Sequence, residues 1–131
     1  MNDDEWDFVA DGEPGLGVPT EDPSAALAAW WRGEAEHEIH RTVPKAIEYG
    51  SGDLIDIGRQ LAACISSFPA SASEADMAEL GVAFYAYGKM ARIMSAIQEG
   101  RKPSDDSWFD LGVYARMAQR IRQAGSWPGL S

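Results

Sequence analysis

Between Ser73 and Gly100 the chain keeps one helical pattern without a proline or a second stop signal. Ser73-Glu74-Ala75-Asp76 is a variant capping box, which satisfies orphan backbone donors at a helix start, and Gly100 is a natural helix end. The pattern predicts a helix over 74–99, about 39 Å long. Met77, Leu80, Phe84, Tyr87, Ala91, Met94 and Ile97 are its expected apolar stripe. A rod of that length must be covered by other elements. No alternating β-branched run occurs anywhere, so those elements are helices as well.

The other helix signals are shorter. Asp22-Pro23 is an N-cap followed by proline at the first helical position and opens a helix over 23–32, which Gly33 is expected to break or bend. A helix over 34–49 follows, with Pro44 expected to kink or break it and Gly50 to stop it. A helix over 53–66 carries Leu54, Ile57, Leu61, Cys64 and Ile65, and Cys64 reads as core packing. The last helix starts near Ser104 and ends at Gly125, with Pro128 blocking its continuation. The expected fold class is all-α, a four- to five-helix bundle over 23–131.

The formal net charge is −10, and residues 1–22 hold eight carboxylates with no Lys or Arg. The rest is left at −2, so the acidity belongs to a Gly/Pro-rich arm expected to be non-regular. A broad basic face for duplex nucleic acid is not expected. Trp6 and Phe8 in the arm suggest that it docks on something, a host protein being one candidate. A single cysteine forbids an intrachain disulfide, which fits a reducing compartment. No apolar run approaches the ~20 residues that span a bilayer. The acidic start lacks a secretory pattern, so the expected location is the cytoplasm. Five tryptophans, with Gly81 and Gly88 on the long helix, lead us to expect a homodimer or higher homo-oligomer.

Candidate chemistry concentrates on the last two helices. Asp106 and Asp110 are four apart and share a face that continues into Tyr114, Met117, Ala118 and Ile121. This sets carboxylates at the edge of a bundle interior, where they need a cation or a metal. Asp105 and Asp106 also suit the helix N-terminus, and Asp110 also suits an ion pair with Lys89 or Arg92. Glu79, Asp106 and Asp110 with Lys89 and Arg92 make the set that a phosphate–Mg²⁺ site needs, or else a salt-bridge network. Glu34, Glu36, His37, Glu38 and His40 read mainly as a solvated face, and His37 and His40 are too close for zincin spacing. Glu34 and Glu38 are further candidate metal ligands.

Three stretches in order carry a resemblance: Lys45-Ala46-Ile47-Glu48-Tyr49-Gly50, then Gly88-Lys89-Met90-Ala91-Arg92, then Asp106-Ser107-Trp108-Phe109-Asp110-Leu111-Gly112-Val113-Tyr114. Over 45–114 the chain resembles phage nucleotide-modification-associated proteins, relatives of the MazG-like all-α NTP pyrophosphohydrolases, and the whole chain resembles an actinobacteriophage-type protein. It departs from them in two places. Glu34, Glu36 and Glu38 are spaced two apart rather than as Glu-Glu-x-x-Glu, and Val113 stands where an Asn often precedes the Tyr. The resemblance implies a nucleotide ligand and Mg²⁺ on carboxylates, in the cytoplasm of a host cell. Asp110, Asp106 and Glu79 would be the catalytic and metal-holding residues, with Glu48 a further metal ligand. Lys89, Arg92, Lys45, Tyr49 and Tyr114 would hold the nucleotide. The expected function is an Mg²⁺-dependent (d)NTP pyrophosphohydrolase. The alternatives are a non-catalytic, sequestering nucleotide-binding protein and a phage interaction module acting on a host factor.

Overall fold

The computed structural model describes residues 22–50 and 52–130. The expectations for residues 1–21, including the non-regular acidic arm and its Trp6 and Phe8, lie outside them. The described residues form four α-helices and no strand: α1 (Pro23–Tyr49), α2 (Gly52–Ala63), α3 (Glu74–Gln98) and α4 (Asp105–Ala124). The all-α bundle expected from periodicity is what forms. By its packing the chain divides into two units, Met1–His37 and Glu38–Ser131, with the boundary inside α1.

The count is four because α1 is continuous where two helices were expected. It opens as the Asp22-Pro23 signal predicts, with the backbone N–H of Ala26 on the Asp22 carbonyl at 3.0 Å. Gly33 does not break it. A mid-helix glycine costs only about 1 kcal/mol, and the strong helix formers around Gly33 outweigh that. Pro44 also lies inside α1 without ending it. Gly50 does stop the helix, at a φ of 64°.

In the unit Glu38–Ser131, α2, α3 and α4 enclose the core. Leu54, Ala78, Val82 and Ile121 are buried together, with Tyr85, Tyr114, Met117 and Trp127 packed around them. Two glycines set how closely α2 and α3 approach. A Cβ on Gly58 would lie 1.8 Å from the Met77 carbonyl oxygen, and one on Gly81 would lie 2.2 Å from that of Leu54. The two backbones therefore touch, and no side chain fits between them. In the last half of α1, Ala46 is buried.

The core face of α3 is not the expected stripe. Ala78, Gly81, Val82, Ile93 and Ala96 are buried, whereas Phe84, Tyr87, Met94 and Ile97 are exposed. At Gly81 and opposite Gly58 the buried side of α3 comes into backbone contact with α2, which a larger side chain at either glycine would prevent. Gly81 is accordingly used inside the chain, while Gly88 has nothing near it. Cys64 is also corrected. Because α2 ends at Ala63, Cys64 falls in the following turn and is exposed.

The caps behave as the sequence indicates. The Ser73 backbone N–H donates to Asp76 Oδ2 at 2.8 Å, and the Asp76 N–H donates to Ser73 Oγ at 3.2 Å. At the other end of α3, Gly100 takes a φ of 75° and the Arg101 N–H closes on the Ala96 carbonyl at 2.8 Å. The chain then turns directly into α4 through the Ser104 N-cap. This short connection makes α3 and α4 antiparallel: Asp110 meets Lys89 near one end, and Arg122 meets Asp76 and Glu79 near the other. Among the described residues no helix is long and apolar enough to cross a membrane.

Candidate functional site

The antiparallel pairing of α3 and α4 decides which charged groups meet. Lys89 Nζ lies 2.8 Å from Asp110 Oδ2, and the pair is largely shielded, with side chains 19% and 32% exposed. This is the ion pair that the spacing allowed for Asp110. One turn earlier on α4, Asp106 pairs with Arg41 of α1 at 3.7 Å and is 79% exposed. The Arg41 guanidinium also sits over the Phe109 ring, 4.6 Å from its centroid, in a cation–π contact.

These two ion pairs separate two clefts. The first, of about 270 Å³, is lined by aromatic groups from Tyr49, Tyr85, Phe109 and Trp127, together with the cations Arg41 and Lys45 and the carboxylates Asp53 and Asp110. The second, of about 650 Å³, lies where α3 ends and α4 begins. It collects Lys89, Arg92, Arg101 and Lys102 around Ser104, Asp106 and Ser107. Each ion pair places one member in each cleft: Arg41 and Asp110 line the aromatic one, Asp106 and Lys89 the cationic one.

The cationic cleft stands out in a chain of net charge −10. Arg101 is held by Glu99, with Nε to Oε2 at 2.8 Å. No ion pair to Arg92 or Lys102 forms among the described residues, so their charge is available to a ligand. The α4 N-terminus adds backbone dipole at the same place, partly answered by Asp105 and Asp106.

A tyrosine pair backs the aromatic cleft. Tyr85 and Tyr114 stack with centroids 5.9 Å apart, and the Tyr85 hydroxyl donates to Asp53 Oδ2 at 3.4 Å. Burial pushes the Tyr85 phenol up, and the Asp53 carboxylate adds to it. Burial raises Tyr114 too, reinforced by Asp110 and opposed by Lys89. Both phenols are therefore neutral at physiological pH and act as hydrogen-bonding, stacking groups.

The structure brings only part of the expected set together. Lys45, Tyr49 and Asp110 share the aromatic cleft, and Lys89, Arg92 and Asp106 share the cationic one. Glu79 joins neither. It lines a third cleft with Asp76 and pairs with Arg122, about 15 Å along α3 from Lys89. Tyr114 lines none of the three clefts and stacks on Tyr85 instead. Glu48 is exposed and also lines none. Glu38 pairs with Arg116 at 3.6 Å.

The donor set can be compared with what Mg²⁺ requires. Among the described residues no three His, Cys, Asp or Glu side chains lie close enough to hold a metal ion. Asp106 and Asp110 each face a cation, and Glu79 is elsewhere. These residues do not fit a cage made by the protein alone.

Sequence reasoning missed Arg41, Asp53, Arg101, Lys102 and Trp127. Arg41 was within reach, since it lies one helical turn before Lys45 on the same face of α1. Arg101-Lys102 sits between a helix stop and an N-cap, which is where a basic pair faces the start of the next helix. Trp127 had no local signal: it reaches the core only because the chain turns back after Gly125. No protein-family model, no curated protein and no solved structure matches this chain.

Proposed function

We propose that the chain binds a nucleotide or a closely related phosphorylated aromatic ligand, with the phosphates in the cationic cleft and the ring in the aromatic one. The observation that carries this reading is the placement of Lys89, Arg92, Arg101 and Lys102 around one cleft that shares two ion pairs with an aromatic cleft. Cations left without carboxylate partners at a helix start suit phosphate oxygens. Flat rings from Tyr49, Phe109 and Trp127 suit a base.

The experiment is a thermal-shift and calorimetric titration with ATP, inorganic pyrophosphate and adenosine, with and without Mg²⁺. A ligand that binds only the folded state raises the melting temperature by mass action. ATP is expected to bind, pyrophosphate more weakly and adenosine least. Arg92→Ala combined with Lys102→Ala should remove the phosphate contribution while leaving the fold intact. Equal shifts with ATP before and after that double substitution would sink the reading.

A second reading, the MazG-like pyrophosphohydrolase, is favoured by Asp106 lining the cationic cleft and Asp110 lying beside Lys89. Mg²⁺ commonly arrives with substrate phosphates and takes only one or two protein carboxylates. Turnover of nucleotides in Mg²⁺ or Mn²⁺, lost in Asp110→Asn, separates this reading from binding alone.

A further inference from the structure

One side of α3 carries an apolar stripe that the chain leaves uncovered. Phe84, Tyr87, Met90, Ala91, Met94 and Ile97 lie on the side of α3 opposite its buried Val82, Ile93 and Ala96. Tyr87 is 74% exposed and Met94 58%. From Leu80 to Gln98 the only charged residues are Lys89 and Arg92, and both line the cationic cleft instead. The helix is apolar on both sides, which is the pattern of a helix buried all round.

We infer that this face is the two-fold interface between two copies of the chain, α3 packing against α3. Two features choose a second copy as the occupant. In a two-fold contact a patch meets its own copy, so a face without charged side chains meets itself with no like-charge repulsion. The α3 face meets that condition along four turns. Its six side chains also expose roughly 500 Å² of apolar surface, more than half of the ~800 Å² per partner that a standard interface covers. Gly88 borders the face and has nothing within 4 Å, so its missing side chain leaves room for a second helix to approach. The interface borders the cationic cleft at Ala91, which lines both, while Phe84, Tyr87, Met90, Met94 and Ile97 line none of the clefts.

The test uses the full chain at tens of micromolar in light scattering and sedimentation equilibrium. Twice the monomer mass is expected. Tyr87→Asp combined with Met94→Asp sets like charges against each other across the two-fold axis and should weaken association by at least ~100-fold. Both positions are exposed, so helical circular dichroism and any ATP-induced thermal shift should be unchanged. A monomeric wild-type chain at that concentration overturns the inference. So does a dimer that survives the double aspartate variant, or one lost only on charging Ile39 and Ile47 of α1.

Discussion

The two sides of α3 contain similar numbers of apolar residues and do opposite things. One side is built from Ala78, Gly81, Val82, Ile93 and Ala96 and is buried. The other is built from Phe84, Tyr87, Met90, Met94 and Ile97 and is exposed. Larger side chains hold more transferable apolar area, so burial by hydrophobicity alone would choose the second side. Contact distance reverses the choice. Small residues bring helix backbones together, so dispersion contacts accumulate along the whole crossing. The fold uses the small side to close itself and leaves the large side uncovered.

The strongest way to break this contrast is to thicken the small side. Gly58→Ala would drive a methyl group against the Met77 backbone at 1.8 Å, and Gly81→Ala would do the same against Leu54 at 2.2 Å. Neither obstacle is a side chain that can rotate away, so α2 and α3 must separate. We expect each substitution to cost about 3 kcal/mol or more, at the upper end for an overpacked core. Urea unfolding followed by circular dichroism measures it. A midpoint unchanged in either variant would mean that the helices do not touch as described.

Next in size is a cavity under the same side. Ile121 is fully buried among Leu54, Ala78 and Val82. Ile121→Ala should lose about 3 kcal/mol, the transfer free energy of the missing carbons together with the void they leave. The same urea experiment checks it, and a loss under about 1 kcal/mol would place Ile121 outside the core.

Much of this was legible in the sequence, and the failures share a cause. Helix existence, the Ser73 capping box, the Gly100 and Gly125 stops and the Tyr114–Ile121 core stripe of α4 depend on local spacing, which the sequence displays directly. That Asp110 would meet Lys89 or Arg92 also followed, because a short connection forces α3 and α4 antiparallel; Lys89 is the one it meets. The core side of α3 did not follow, since both sides are apolar and the choice depends on Gly58 of another helix. Glu79 was misplaced for a related reason. It shares α3 with Lys89, but helical rise carries it to the far end, where Arg122 of α4 is waiting. Arg101 and Lys102 gained a role only once the turn between α3 and α4 placed them beside Lys89 and Arg92.

A smaller effect tests the polar start of α3, where charge gives way to the apolar sides. The Asp76 carboxyl is held below its ordinary value of 3.8, chiefly by the Ser73 backbone and side-chain hydrogen bonds, with Arg122 adding to them. A carboxyl depressed in the folded state binds protons less readily there than in the unfolded chain. Its contribution is therefore present above about pH 4 and is lost as pH falls through the lowered folded value. Asp76→Asn should flatten the acid limb of the stability–pH curve while leaving its slope near neutrality unchanged. An acid limb identical to that of the parent chain would show that the capping carboxylate carries no pH dependence.

The smallest effect is expected on the large side of α3, and it is the most diagnostic. Met94→Ala removes more side-chain volume than Gly58→Ala adds, yet Met94 is 58% exposed and touches little within its own chain. At protein concentrations low enough to keep the chain monomeric, the substitution should change unfolding free energy by no more than about 0.5 kcal/mol, as surface changes do. At high concentration the difference should grow, because a contact between copies adds to the stability of each by mass action. Urea midpoints measured over a hundredfold range of concentration separate the two regimes. A large loss at the lowest concentration would mean that the chain itself covers Met94, and the two sides of α3 would then differ in size but not in use.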